Sequence, residues 1–175
     1  TSLGVECIRG EAKVITPYCV QIGEQRLTTR NIIIAAGASP SVPPIPGLDQ
    51  INYLTSNNLW DLTELPPRLV VLGGGPIGCE ISQAFARLGS HVTQIEMAPR
   101  LLVNEDEIAS IALLKCFEQD GVDVLLGHQA VGFWANESGT SVVCESVNNK
   151  QTESVEIFFD KVVIAVGRRA NISGY

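Results

Sequence analysis

Residues Leu69 to Glu80 read LVVLGGGPIGCE: an apolar run of strand length ends on three consecutive glycines and passes at once into helix-forming sequence. A strand without polar interruption is one buried on both faces, which calls for a parallel sheet covered on each side. Gly73 permits a tight turn out of that strand, and Pro76 suits the first helical position, where its missing N–H is not needed. Beyond it, Ile77, Ile81, Ala84, Phe85 and Leu88 recur at helical spacing, and Gly89 marks the stop. HVTQIE then reads as a second strand. NEDEIASIALLKCFEQDG reads as a second helix, with Asn104 as N-cap and the acids Glu105, Asp106 and Glu107 in a first turn that suits the helix dipole. VDVLLG reads as a third strand.

The flanking sequence is different in kind. AKVITPYCVQI and QRLTT are short β-rich runs around turn signals, and NIIIAAG has the pattern of a strand buried on both faces. ASPSVPPIPG carries four prolines, so it is expected to be an extended linker at a domain boundary, and TSNNLWDLTELPP a short helix ended by its prolines. AVGFWANESGTSVVCESVNNKQTESVEIFF reads as an antiparallel meander with polar turns. DKVVIAVG reads as another buried strand ending in glycine, like NIIIAAG. The expected fold class is therefore α/β: a Rossmann-like βαβ domain with a parallel sheet and an antiparallel meander.

Gly73-x-Gly75-x-x-Gly78, after a strand and opening a helix, is the dinucleotide fingerprint in the context it requires. Gly75 would let the backbone approach a pyrophosphate, Gly78 would let the helix pack on the strand, and the helix start would hold the phosphate charge. Glu96, about twenty residues beyond the loop, ends the second strand, where a carboxylate can accept both ribose hydroxyls. The same charge would repel a 2′-phosphate, so NAD(H) is expected in preference to NADP(H). Arg100 nearby reads as a surface cation, or as a softener of that preference. The alternatives are a non-nucleotide α/β turn or a different Rossmann-type ligand such as S-adenosylmethionine. Glu80 reads either as a solvated helix residue or as a carboxylate facing the nicotinamide end.

Composition removes other classes. The formal net charge is -7, with no basic patch for nucleic acid or an acidic membrane surface. No apolar run approaches the roughly eighteen residues of a membrane span, and the first residues, without a basic region followed by an apolar core, are not expected to be a signal peptide. The absence of an initiator Met suggests a piece of something longer. Cys7, Cys19, Cys79, Cys116 and Cys144 show no CxxC or metal-ligand spacing, so they are expected to be reduced, mostly buried thiols of a cytoplasmic protein, with no metal site.

Taken together, GGGPIGCE, VTQIEMAPRLL, IIIAAGASPSVPPIPG and DKVVIAVGRRAN resemble, in order and over essentially the whole chain, the flavoprotein pyridine nucleotide–disulfide oxidoreductases. The branch that looks nearest is that of dihydrolipoamide dehydrogenase and the mercuric-reductase-like proteins. The resemblance implies residues 1–46 as the later part of an FAD-binding domain, 47–159 as an inserted NAD(P) domain, and 160–175 as the start of the return to the FAD domain. It implies that Gly73, Gly74, Gly75, Pro76, Ile77 and Gly78 hold NAD with Glu96, that Val131 lies at the adenine side, and that Gly167 lies near the nicotinamide. It assigns Ala12, Ala35, Ala36 and Gly37 to the FAD, and Glu80 to the nicotinamide–flavin contact, as the catalytic candidate.

The resemblance further implies a parent that carries FAD and forms a homodimer through an interface domain, with hydride passing from nicotinamide to flavin. Pro76 stands where many members carry a side chain that gates the nicotinamide pocket, and proline cannot swing. Mercuric reductases of the established kind use NADPH and lack an acid where Glu96 stands. The family's CxxxxC pair, first FAD glycine loop and C-terminal His–Glu pair do not occur in these 175 residues, so alone the chain is expected not to reduce disulfides. Alternatives are the NAD-binding part of an NADH oxidase or ferredoxin-reductase-type flavoprotein, or a non-catalytic dinucleotide-binding module.

Overall fold

A computed structural model describes residues 2–137, 139–148 and 154–175. The polar turns read around residue 138 and within 149–153 lie outside them. The chain divides into two compact units: residues 1–39 with 169–175, and residues 40–168.

The first unit contains a three-stranded antiparallel sheet of β1 (Ala12–Thr16), β2 (Cys19–Ile22) and β3 (Gln25–Thr28), in that order. NIIIAAG, read as a buried strand, is irregular here, with Ile33 92% and Ile34 55% exposed. A strand is stable only beside a neighbour that takes up its N–H and C=O groups. Residues 31–37 pair with no strand among the described residues. β4 (Ala38–Pro40) follows.

The second unit is built on the expected βαβ pattern. β5 (Arg68–Leu72) leads through the glycines into α1 (Pro76–Leu88), β6 (His91–Glu96), α2 (Glu107–Asp120) and β7 (Asp123–Leu126). After them come β8 (His128–Asn136), β9 (Gly139–Ser146), β10 (Val155–Phe159) and β11 (Lys161–Ile164); β12 (Arg168–Ala170), whose last two residues belong to the first unit, pairs with β4. β11, β5, β6 and β7 form one parallel sheet in that order, while β8, β9 and β10 form the antiparallel meander. α1 ends where expected: Gly89 is left-handed (φ 110°), its N–H reaches Ala86 O at 3.0 Å, and the Ser90 N–H reaches Phe85 O at 3.0 Å.

Alternation along β5 explains its unbroken apolar sequence. Leu69 and Val71 join Cys79, Ile81, Val92 and Phe117 in a core on the helix side. Val70 and Leu72 join Phe133, Val142, Cys144 and Phe159 in a core on the meander side, where the two phenylalanine rings meet edge to face at 6.0 Å. The parallel sheet is thus covered by helices on one face and the meander on the other, and its mouth lies at the carboxyl ends of the strands.

Several boundaries differ from those read in the sequence. β11 pairs with β5 residue for residue, from Lys161 with Leu69 to Ile164 with Leu72. The Phe133 N–H also binds Pro46 O at 2.8 Å, so the boundaries at 46/47 and 159/160 fall inside the second unit. The stretch after Thr55 gives a single 3₁₀ turn, Leu59–Asp61, rather than a longer helix. Asn58 Oδ1 accepts from the Thr55 N–H at 2.7 Å and its hydroxyl at 3.2 Å, side-chain bonds that compete with helix formation.

α2 starts at Glu107 with Asp106 as N-cap, not at Asn104. The guanidinium of Arg100 takes the carbonyls of Leu102, Val103 and Glu105, so those groups do not serve as helix acceptors. The thiols are less buried than expected: Cys79 and Cys144 are buried, Cys19 is intermediate, and Cys7 and Cys116 are exposed.

Candidate functional site

The carboxyl ends of β5 and β6 open into a cleft of about 640 Å³. Its floor is the glycine loop, and its walls are Glu96 and Met97, Ala165–Gly167 after β11, Pro43–Ile45, and His128–Ala130 at the start of β8.

The glycines divide sharply by what a β-carbon would meet. Gly73 has φ 107°, and a β-carbon there would collide with the carbonyl of Ala165. At Gly78 it would collide with Gly73 O as α1 packs on the loop, and at Gly74 it would come within 2.9 Å of the Glu96 side chain. At Gly74 side chains would have to shift, whereas Gly73 and Gly78, which face backbone, are required by the fold itself. Gly75 is not: its backbone is ordinary extended (φ -78°, ψ 177°), and nothing lies within 4 Å of an added β-carbon. Its small size leaves open space in the cleft rather than accommodating the protein.

Glu96 finishes β6 beside this loop. One carboxylate oxygen accepts from the Gly74 N–H and the other from the Ala98 N–H at 2.7 Å. The carbonyl of Gly74 takes the Leu102 N–H at 2.8 Å, and Gly73 O takes the amide of the fully buried Gln94 at 2.8 Å. The loop is therefore braced on both sides before any ligand arrives. α1 carries no side-chain cap, so the N–H groups of its first turn and the positive end of its dipole are available to an anion.

Cys79 lies beneath the loop, donating to Gly74 O at 3.4 Å. Burial, offset in part by a hydrogen bond from Gln94, pushes its thiol up to about 11, and burial pushes Cys144 up to about 12. Both stay protonated near neutral pH and are poor nucleophiles. With a thiol-specific disulfide reagent at about pH 8, Cys7 and Cys116 are expected to react in the native protein, and Cys79 and Cys144 only after unfolding. Rapid native modification of Cys79 would contradict its placement under the loop.

Among the residues read as binding sites in the sequence, Gly73, Gly74, Gly75, Pro76, Ile77, Glu96 and Gly167 all line the cleft, and Gly78 is buried beneath it. Glu80 lies on the exposed side of α1 and is not in the cleft wall. Val131 is the extra residue of a bulge in β8, and its neighbours Gln129 and Ala130 line the cleft instead.

Ala12, Ala35, Ala36 and Gly37 belong to the first unit and are exposed. There, Asn171 binds Ala36 O at 2.9 Å through its amide and Gly37 O at 3.0 Å through its backbone N–H. Asn104, His128, Gln129 and Pro43–Ile45 are wall residues that the sequence patterns did not mark as part of a binding site. His128 Nδ1 sits 2.7 Å from the Leu126 carbonyl, which can only accept, so Nδ1 is the donor of that pair.

The family model of the pyridine nucleotide-disulphide oxidoreductases matches residues 1–175. The chain belongs to that family. This oxidoreductase-family chain is 36% identical over 168 residues to a mercuric reductase of Staphylococcus aureus, covering 96% of the chain and 30% of that protein. It is 34% identical over 177 residues to a dihydrolipoyl dehydrogenase of Thermus scotoductus, covering 97% of the chain and 36% of that protein. A solved HOCl-induced flavoprotein disulfide reductase from Escherichia coli, RclA, superposes with a TM-score of 0.76 at 30% identity, over 95% of this chain and 37% of the other. The chain thus spans about a third of the length of these relatives. Among its described residues, no helix is long and apolar enough to cross a membrane.

Proposed function

We propose that the cleft of the second unit binds NAD(H), with the pyrophosphate over Gly75 and the first turn of α1, and the adenosine ribose on Glu96. The observation that carries this reading is Gly75: a glycine with no need for its size or backbone within the protein, in a cleft at a helix N-terminus. The cradle that a β-carbon would fill fits a closely approaching phosphate. Glu96 adds a carboxylate at the strand end, where ribose hydroxyls can donate to it and a 2′-phosphate would be repelled. Arg100 is spread over three backbone carbonyls and offers no ready counter-charge to that phosphate, which favours NAD(H) over NADP(H).

When bound, the dinucleotide supplies a hydride, and the chain's part is to hold and orient it. The parent is proposed to be a flavoprotein oxidoreductase of the disulfide reductase type that works in the cytoplasm as a homodimer. Ala12 and Ala35–Gly37 would contribute to an FAD site completed by the rest of that protein. Gly167, at the cleft wall, is proposed to lie near the nicotinamide, and Val131 near the adenine. Glu80 is proposed to act on the nicotinamide side.

Glu96→Ala tests the ribose assignment. Loss of charge-assisted bonds worth about 1.5–3 kcal/mol should weaken NADH binding by about tenfold or more and bring NADH and NADPH affinities closer. An unchanged NADH affinity in a folded variant would remove Glu96 from the site.

A further inference from the structure

Between β6 and α2, residues 97–106 form a strap along the cleft without regular structure, yet it is closely tied down. Leu101 is fully buried, and Leu102 takes a left-handed conformation (φ 51°), the only non-glycine residue with positive φ among the described residues. From there its N–H reaches the glycine loop at Gly74 O, 2.8 Å away. Arg100 closes the strap on itself, with Nη1 donating to Leu102 O at 2.9 Å and Nη2 to Val103 O at 2.7 Å and Glu105 O at 3.0 Å. Two of those carbonyls belong to the residues on either side of Asn104. The clasp therefore fixes the backbone at Asn104, and Asn104 lines the same cleft as Glu96 and Gly75. Its side chain has no hydrogen-bond partner among the described residues.

We propose that Asn104 is a direct contact to the adenosine half of the dinucleotide, and that Arg100 is the positioning residue that holds it there. The proposal rests on the dinucleotide reading and adds a residue to it. The strap begins at Glu96, so it belongs to the ribose side of the cleft. A carboxylate can only accept from a ribose hydroxyl, whereas an amide can both donate and accept. Asn104 supplies the donor that Glu96 lacks, and as a neutral group it adds no charge to attract a 2′-phosphate. Arg100, whose charge would suit that phosphate, serves instead to hold the strap closed.

A double-mutant cycle on NADH affinity tests this, with Asn104→Ala, Arg100→Met and the double variant, each checked for an unchanged melting curve. Asn104→Ala is expected to weaken NADH by about three- to tenfold, the loss of one neutral hydrogen bond. Arg100→Met should weaken it by a similar factor, and the double variant should be no weaker than the weaker single one. Hydrogen exchange gives a readout without ligand: the Leu102 amide should lose protection in Arg100→Met and keep it in Asn104→Ala.

NADH affinity unchanged in Asn104→Ala, which alters an exposed side chain and should fold, overturns the contact. Losses that multiply in the double variant, or a Leu102 amide indifferent to Arg100→Met, overturn the positioning role. Failure of the unaltered protein to bind NADH would instead overturn the dinucleotide reading, and this proposal with it.

Discussion

Gly75→Val is expected to abolish detectable NADH binding while leaving the fold intact. The position is extended and no protein atom lies within 4 Å of an added β-carbon, so a side chain there is expected to point into the open cleft. The cost to stability should be about 1 kcal/mol or less, from the poorer N-cap preference of valine. For the ligand, the branched side chain fills the space that a pyrophosphate needs against the backbone. Losing two or more charge-assisted bonds worth about 1.5–3 kcal/mol each weakens binding at least about a hundredfold. Thermal unfolding and an NADH titration on the same sample read both halves of the expectation. A variant that folds and binds NADH normally would show that nothing approaches the loop at Gly75.

Gly73→Ala should do the reverse of this within the same loop. Its φ of 107° is strained for any residue with a β-carbon, and that β-carbon would enter the Ala165 carbonyl, where β5 and its parallel neighbour β11 end side by side. Backbone strain of about 1–3 kcal/mol and a similar cost of overpacking add to about 2–6 kcal/mol. A domain of this size is stable by only about 5–15 kcal/mol, so much of its margin would go. Urea unfolding should show a clearly lower midpoint with an unchanged slope. An unaltered midpoint would mean that the turn out of β5 is not the one described. The contrast between Gly73 and Gly75 separates what the fold needs from what the ligand needs.

The parts of this architecture that were legible in the sequence are those whose causes are local. β5, α1, β6 and β7 follow from apolar runs, helical spacing and Gly89. The positions of Gly73, Gly75 and Glu96 follow from the order strand, loop, helix, strand. Other features depend on a partner that lies elsewhere in the chain. NIIIAAG and DKVVIAVG carry the same pattern, but among the described residues only Lys161–Ile164 within the second has a neighbouring strand, β5, to complete its backbone bonds. Apolar patterning reports what a segment can bury, not whether a neighbour is there to receive it.

The prolines at 43 and 44 suggested only an extended linker, yet that stretch forms a wall of the cleft because Phe133 of the meander holds Pro46. Asn104 looked like a helix cap, and the bonds that prevent it come from Arg100, whose side chain gave no sign in the sequence of turning back on its own strap. Glu80 shows the converse case, since a motif position places it near the loop while the turn of the helix carries it to the exposed side.

The most direct measurement is a titration of this chain with NADH and, separately, NADPH at fixed ionic strength, followed by nicotinamide fluorescence. Saturable binding of NADH, tighter than NADPH by about tenfold or more, is the result expected from an open Gly75 and a carboxylate at the ribose position. Failure to bind either dinucleotide, or tighter binding of NADPH, would contradict it.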